Sequence, residues 1–171
     1  GGDSIDVLTG GVKADSLYGG AGVDYLKGGR GSDYLEGGTG RDIYEYNGYA
    51  GLQGGNDGND VIRDIDGKGV LRYVWNDQPA PISTAIADAS IKVSDTQWKS
   101  ADGKFPYTRS GTDLIVAITA DAEGGFTLKD FRDGDFSIRL GTRGVHADPQ
   151  TTYEFVGDFA PLETAVNLPA N

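Results

Sequence analysis

Five aspartates, Asp6, Asp15, Asp24, Asp33 and Asp42, recur at a constant spacing of nine residues. Each stands sixth in a nonapeptide that opens with a glycine pair: GGDSIDVLT, GGVKADSLY, GGAGVDYLK, GGRGSDYLE and GGTGRDIYE fill the first 45 residues. The chemistry open to such a row is that of hard oxygen donors. Asp carries a short anionic carboxylate, and glycine pairs let the chain bend with φ > 0 so that backbone carbonyls converge. Carboxylates with carbonyls make an oxygen-only site suited to Ca²⁺, which accepts about six to eight such ligands in flexible geometry. The chain has no Cys and one His, so zinc and copper sites are essentially excluded.

Something must hold these carboxylates in register. After the aspartates come triplets of strand character, Val7-Leu8-Thr9, Tyr25-Leu26-Lys27 and Tyr34-Leu35-Glu36. Strand alternation turns the central residue inward and its neighbours outward. Leu8, Leu17, Leu26, Leu35 and Tyr44 are therefore expected to stack into a thin core. Tyr18, Tyr25 and Tyr34 are read as outward strand residues that screen the coil, with a sugar-binding face as the other reading.

The repeat GGxGxDxUx resembles that of the RTX family of calcium-binding parallel β-rolls. The resemblance implies that two nonapeptides make one full turn, so that each loop stacks on its second neighbour. Asp6, Asp24 and Asp42 then share one edge, and Asp15 and Asp33 the other. It further implies that each Ca²⁺ lies between stacked loops, held by the Asp of each and by the glycine-rich stretches Gly19, Gly20, Ala21, Gly22, then Gly28, Gly29, Arg30, Gly31, then Gly37, Gly38, Thr39, Gly40. About three to four ions are expected. Ser4 and Lys13 replace the fourth-place glycine in the first two repeats, so occupancy is expected to be poorest there.

The phase extends beyond residue 45. Asp60 lies 18 residues after Asp42, and GNDGNDVIR (residues 55 to 63) fits the repeat apart from its second glycine. Residues 46 to 54 break the pattern and are expected to form a bulged loop. On this reading Asp60 is a further ligand and extends the row of Asp6, Asp24 and Asp42, which makes the two rows unequal. Asp57, Asp64 and Asp66 are weaker candidates. Asp64-Ile65-Asp66-Gly67 resembles part of an EF-hand loop, but Ile62 and Tyr73 stand where that loop needs carboxylates, which rejects it.

The bulk composition agrees. The net charge is −11, with 21 Asp against 5 Glu; an excess of Asp fits turns and cation binding. Such a charge argues against nucleic acid or an anionic membrane as partner, because phosphate binding needs clustered Lys and Arg. Without Cys there are no disulfides, and calcium takes over stabilisation. No signal peptide or apolar membrane span is recognisable. The chain reads as an internal piece of a larger polypeptide.

From about residue 70 glycine thins out. Strands are expected at Val70 to Trp75, Thr112 to Thr119, Gly125 to Phe131 and Phe136 to Leu140, with turns at 120 to 124 and 133 to 135. Residues 82 to 95 are ambiguous between strand and a short helix. The fold expected is all-β: a calcium-binding parallel β-roll (1–69), a smaller, mostly antiparallel β capping module (70–145) and an extended C-terminal linker (146–171). Trp75, Trp98, Tyr107, Phe126 and Phe131 supply the module's core. A cap is needed because the open end of a roll exposes backbone edges and apolar core.

No catalytic constellation stands out. His146 is the single histidine, beside Asp148 and without a nucleophile-elbow motif, so no enzymatic activity is expected. Asp148-Pro149 resembles the bond cleaved in some RTX proteins, though only 22 residues follow Pro149. The resemblance implies a monomeric calcium-binding domain of a secreted, extracellular or cell-surface protein. It would fold on Ca²⁺ outside the cell and aid type I secretion, its partners being calcium ions, the parent polypeptide and the secretion machinery. The alternatives are an adhesin or carbohydrate-binding module working through Trp98 or Tyr107, and an accessory domain of a secreted lipase, protease or epimerase.

Overall fold

The computed structural model describes residues 1–48, 57–75, 82–119 and 124–142, the side chains of 75 and 82–85 excepted. The turn expected at 120 to 124 lies almost wholly outside them, as do most of the bulged loop, the Trp75 side chain, His146, Asp148-Pro149 and the linker. Within the described residues the chain is all-β, apart from a single 3-10 turn at Asp135–Ser137.

The repeats form β1 (Val7–Thr9), β2 (Ser16–Ala21), β3 (Tyr25–Lys27), β4 (Tyr34–Thr39) and β5 (Ile43–Gly48). They are continued by β6 (Asn59–Arg63) and β7 (Val70–Trp75). Odd strands stack in parallel in the order β1-β3-β5-β7, and even strands in the order β2-β4-β6. Because the apolar residue recurs at a fixed place, stacking brings like onto like. Leu8 faces Leu26, Leu26 faces Tyr44, and Tyr44 faces Leu71. In the second sheet Leu17 faces Leu35, which faces Ile62. Leu26, Leu35, Tyr44, Ile62 and Leu71 are fully buried, while Leu8 and Leu17 at the first rung are only partly covered. A buried side chain of this size contributes about 1.5–3 kcal/mol, so a core one residue wide leaves much of the stability to other sources.

The remaining strands are β8 (Ile82–Ala85), β9 (Asp88–Ala89), β10 (Ile91–Lys92), β11 (Gln97–Lys99), β12 (Pro106–Ser110), β13 (Asp113–Ala117), β14 (Gly125–Leu128) and β15 (Arg139–Leu140). The ambiguous stretch 82 to 95 thus holds three short strands and no helix, and β13 and β14 pair antiparallel as expected. β14 also lies parallel to β6, with Leu128 on Ile62 and Phe126 on Asp60. One sheet therefore runs from the roll into the antiparallel strands, in the order β10-β11-β12-β13-β14-β6-β4-β2. β8 closes the other sheet against β7. The roll's edge at β6 is thereby paired rather than left open.

Aromatic side chains join the parts into one core. Tyr46 meets Phe126 edge-on at 5.4 Å, and Tyr73 meets Phe105 at 6.1 Å. Trp98, Tyr107, Phe126 and Phe131 are all buried. Phe136 to Leu140, expected as a strand, is instead the 3-10 turn followed by the two residues of β15, with Phe136 at φ 54 and Ser137 at φ 63. The turn carries the Phe136 ring to within 5.8 Å of Tyr44, and its backbone N–H donates to the Gly67 carbonyl at 2.9 Å. Left-handed backbone is unfavourable for a bulky residue; burial of the ring offsets it. On the outer faces of β3 and β4, Tyr25 and Tyr34 donate to Glu45 and Glu36, so both hydroxyls serve the sheet surface.

Candidate metal centre

Stacking converts the aspartate period into a ladder. The backbone N–H of Asp6 donates to Oδ1 of Asp24 at 2.9 Å, and that of Asp24 to Oδ1 of Asp42 at 2.9 Å. On the opposite edge Asp15 donates to Oδ1 of Asp33 at 2.8 Å, and Asp33 to Oδ1 of Asp60 at 3.0 Å. One carboxylate oxygen of each is therefore consumed in holding the rungs together. The other, Oδ2, is buried with no partner among the described residues at Asp24, Asp33, Asp42 and Asp60. Buried polar atoms are nearly always satisfied, and a buried carboxylate without a counter-charge is costlier still.

Asp60 corrects the expected arrangement. Its spacing of 18 from Asp42 suggests the same edge, but Val61 pairs with Tyr34 and Asp60 stacks on Asp33. The separation between those two is 27 residues, where the other stacked pairs are 18 apart. β5 runs on to Gly48, and the nine residues 46–54 that break the repeat leave the phase of Asp60 unchanged while placing β6 on β4 rather than on β5. The row through Asp6, Asp24 and Asp42 instead reaches Gly69, since Val70 pairs with Ile43 and its N–H binds the Asp42 carbonyl. The rows thus hold three aspartates each, Asp6–Asp24–Asp42 and Asp15–Asp33–Asp60.

The space beside each orphaned oxygen is kept by a missing side chain. A Cβ on Gly19 would strike Asp24 Oδ2 and the Gly37 carbonyl oxygen; on Gly28, Asp33 Oδ2; and on Gly37, Asp42 Oδ2. A carboxylate and a carbonyl from different rungs thus converge on the same gap. Among the described residues no three acidic or imidazole side chains gather in one place. A cation here would draw on carboxylates from stacked rungs and complete its shell with carbonyls, which is the oxygen-rich set Ca²⁺ prefers. The residues present fit that ion.

In repeats three to five the second and fourth places adopt left-handed backbone, as at Gly38 (φ 102) and Gly40 (φ 130). Ser4 and Lys13, in the fourth place, do not adopt it, and a different loop shape follows. Asp6 and Asp15 are half-buried, and their Oδ2 atoms accept from Gly2 N–H at 2.8 Å and Gly11 N–H at 2.6 Å. The N-terminal rungs are thus chemically different from repeats three to five.

Burial sets the titration of Asp33, Asp42 and Asp60. Loss of water raises the pKa of Asp33 and Asp42, and their stacked neighbours Asp15 and Asp24 raise them further against a lowering backbone hydrogen bond. Asp60 is pushed up to about 8 by burial, with Asp33 and Asp57 adding to it. A proton or a cation is needed to neutralise such a site.

Three further groups border the rows. Tyr44, where other repeats place Leu, accepts the Gly37 N–H at 3.0 Å and donates to Asp64 Oδ2 at 3.0 Å. Asp66 Oδ2 accepts the Gly40 N–H at 3.1 Å, and Asp57 accepts from Asn47 at 2.6 Å. The only sequence signal for the first was the exchange of Leu for Tyr.

Residues 1–35 and 19–47 match the RTX calcium-binding nonapeptide repeat (4 copies). Residues 1–47 are RTX repeats. The RTX segment is a calcium-binding element, and the chain pairs a β-roll with a β-rich module. Among solved structures, one that it resembles is the solution structure of the AlgE6R3 subunit from the Azotobacter vinelandii mannuronan C5-epimerase. It is 22% identical, covering 100% of this chain and 92% of that one, with a TM-score of 0.27; so loose a superposition carries no argument about the site. No curated protein matches the chain. No helix among the described residues is long and apolar enough to cross a membrane.

Proposed function

We propose that this RTX domain is the calcium-driven folding switch of a larger secreted protein. The observation that carries the reading is the set of four buried Oδ2 atoms, on Asp24, Asp33, Asp42 and Asp60, that have no partner among the described residues. Four ions are assigned, one to each stacked pair: Asp6 with Asp24, Asp24 with Asp42, Asp15 with Asp33, and Asp33 with Asp60. The carbonyls of the glycine-rich stretches 19–22, 28–31 and 37–40 complete the shells. When bound, calcium neutralises the carboxylates; the chain's own part is to hold them in line through the amide-to-Oδ1 ladder.

Without the ion, repulsion among these carboxylates and the narrow core favour the open chain. A ligand that binds only the folded form stabilises it by roughly 2.7 kcal/mol per site at a hundredfold excess over Kd. Four such sites supply on the order of 11 kcal/mol, the scale of a whole domain's stability. Extracellular calcium modules bind at about 10⁻⁴ to 10⁻³ M, so the chain stays unfolded and export-competent in the cytosol and folds outside. Type I secretion from a parent polypeptide is the route this suits. The reading gives the domain no reaction of its own.

A glycan face on Trp98 and Tyr107 is not favoured, since the two are 9% and 0% exposed. The test is a calcium titration followed by circular dichroism. The reading expects little β structure in chelator and a cooperative gain at millimolar Ca²⁺; full β structure in chelator, unchanged by calcium, contradicts it.

A further inference from the structure

A cleft of about 500 Å³ opens beside the Asp42 end of the rows, outside the stacked aspartate pairs, between the turn at 64–67, the hairpin turn after β12 and the segment 129–135. That is the size of a small-ligand site. In a chain of net charge −11, its lining is unusually rich in cations: Arg63, Arg109, Lys129 and Arg132 all border it. Arg63 and Lys129 are already paired, with Glu36 and Asp113.

Arg109 is not so served. Its Cζ stands 5.5 Å from the centre of the Phe131 ring, and its Nη1 is enclosed with no acceptor among the described residues. A guanidinium carries its donors in a rigid fork suited to carboxylates, and an enclosed donor without an acceptor is a defect that a ligand can repair. The backbone alongside is also unusual, with Asp130 at φ 52 in the left-handed region. Asp64, Asp66, Asp130 and Asp135 share the lining. They would repel a phosphate or other compact polyanion, yet they accept hydrogen bonds from hydroxyl groups. The Thr112 hydroxyl adds a group of both kinds.

We propose that this cleft binds a sugar acid, with Arg109 and Arg132 receiving the carboxylate while Thr112 and Asp130 bind hydroxyl groups. The site lies beyond the calcium reading: a chain that fails to fold with calcium refutes that reading, and a calcium-loaded chain tests this one.

The experiment titrates D-glucuronate into the full chain at saturating calcium and follows backbone amide shifts by NMR, with glucose and acetate as comparators. Saturable shifts are expected at Thr112 and at Asp130 to Arg132, with both comparators binding at least about tenfold more weakly. Arg109→Gln should weaken glucuronate binding at least about tenfold, the scale of a hydrogen bond to a charged group, and Arg132→Gln should weaken it less. Circular dichroism of each calcium-loaded variant reports its fold. No saturable shift overturns the proposal. So does an affinity unchanged in a folded Arg132→Gln variant, or shifts confined to roll amides such as Asp24 and Asp42, which would mean calcium chelation.

Discussion

The backbone N–H of Asp33 donates to Oδ1 of Asp60 across a separation of 27 residues, at 3.0 Å. That bond joins the repeats to the strand on which the antiparallel part of the molecule is built. Asp60 precedes Val61 and Ile62 in β6, and those residues pair with Thr127 and Leu128 of β14. Closing the Asp15–Asp33–Asp60 row therefore presents the edge on which β14 docks.

The register makes a specific claim about coupling. Asp33→Asn and Asp60→Asn share a site, so their effects on the calcium midpoint of folding should be non-additive, by about 0.5–3 kcal/mol as for residues in direct contact. Asp42→Asn combined with Asp60→Asn should be close to additive. The opposite pattern, coupling of Asp60 to Asp42, would restore the single row that their 18-residue spacing suggests.

Gly19→Ala tests the gap itself. The new Cβ meets Asp24 Oδ2 and the Gly37 carbonyl, whereas a Cβ on Gly2 meets nothing within 4 Å. Native mass spectrometry in calcium should find at least one ion fewer in Gly19→Ala and no change in Gly2→Ala.

How much of this was legible in the sequence depends on the residue. The period of nine exposed the strands, the inward Leu8-Leu26-Tyr44 row and the calcium chemistry, because a strict repeat forces like onto like when it stacks. The edge taken by Asp60 was not legible. An insertion of nine residues leaves the phase intact while exchanging the two sheets, so spacing alone cannot tell them apart. Nor was the pairing of β14 with β6, a contact between distant segments that leaves no local pattern. Phe136 looked like the start of a strand because composition does not record that its ring must turn in upon Tyr44.

Calcium-free protein should respond to acid in the sense opposite to ordinary acid denaturation. Burial raises Asp33 and Asp42 above the ordinary 3.8, and Asp60 to about 8. The folded form thus binds protons more tightly than the open chain. The stability these groups contribute is fully present below the open-chain value of 3.8 and is lost as pH rises toward about 8. In chelator, far-UV circular dichroism should gain β signal as pH falls through this window, while the calcium midpoint rises because protons compete for the same carboxylates. A loss of β signal on acidification in chelator would contradict the burial of these groups.

Tyr44→Phe removes the hydroxyl that joins Gly37 to Asp64 and leaves the ring in the core. It should destabilise the calcium-loaded fold by about 1–3 kcal/mol, the penalty for leaving buried partners unsatisfied, measured by urea unfolding. No change would mean that the hydroxyl plays no part in closing the Asp42 end.

The most direct measurement is hydrogen–deuterium exchange at the amides of Asp6, Asp15, Asp24 and Asp33, each of which donates to the carboxylate of the next rung. The account predicts strong protection at all four in millimolar calcium, greatest at Asp24 and Asp33, and exchange near the open-chain rate in chelator. Equal protection in calcium and in chelator would mean that the ladder stands without the ion, and would contradict calcium-driven folding.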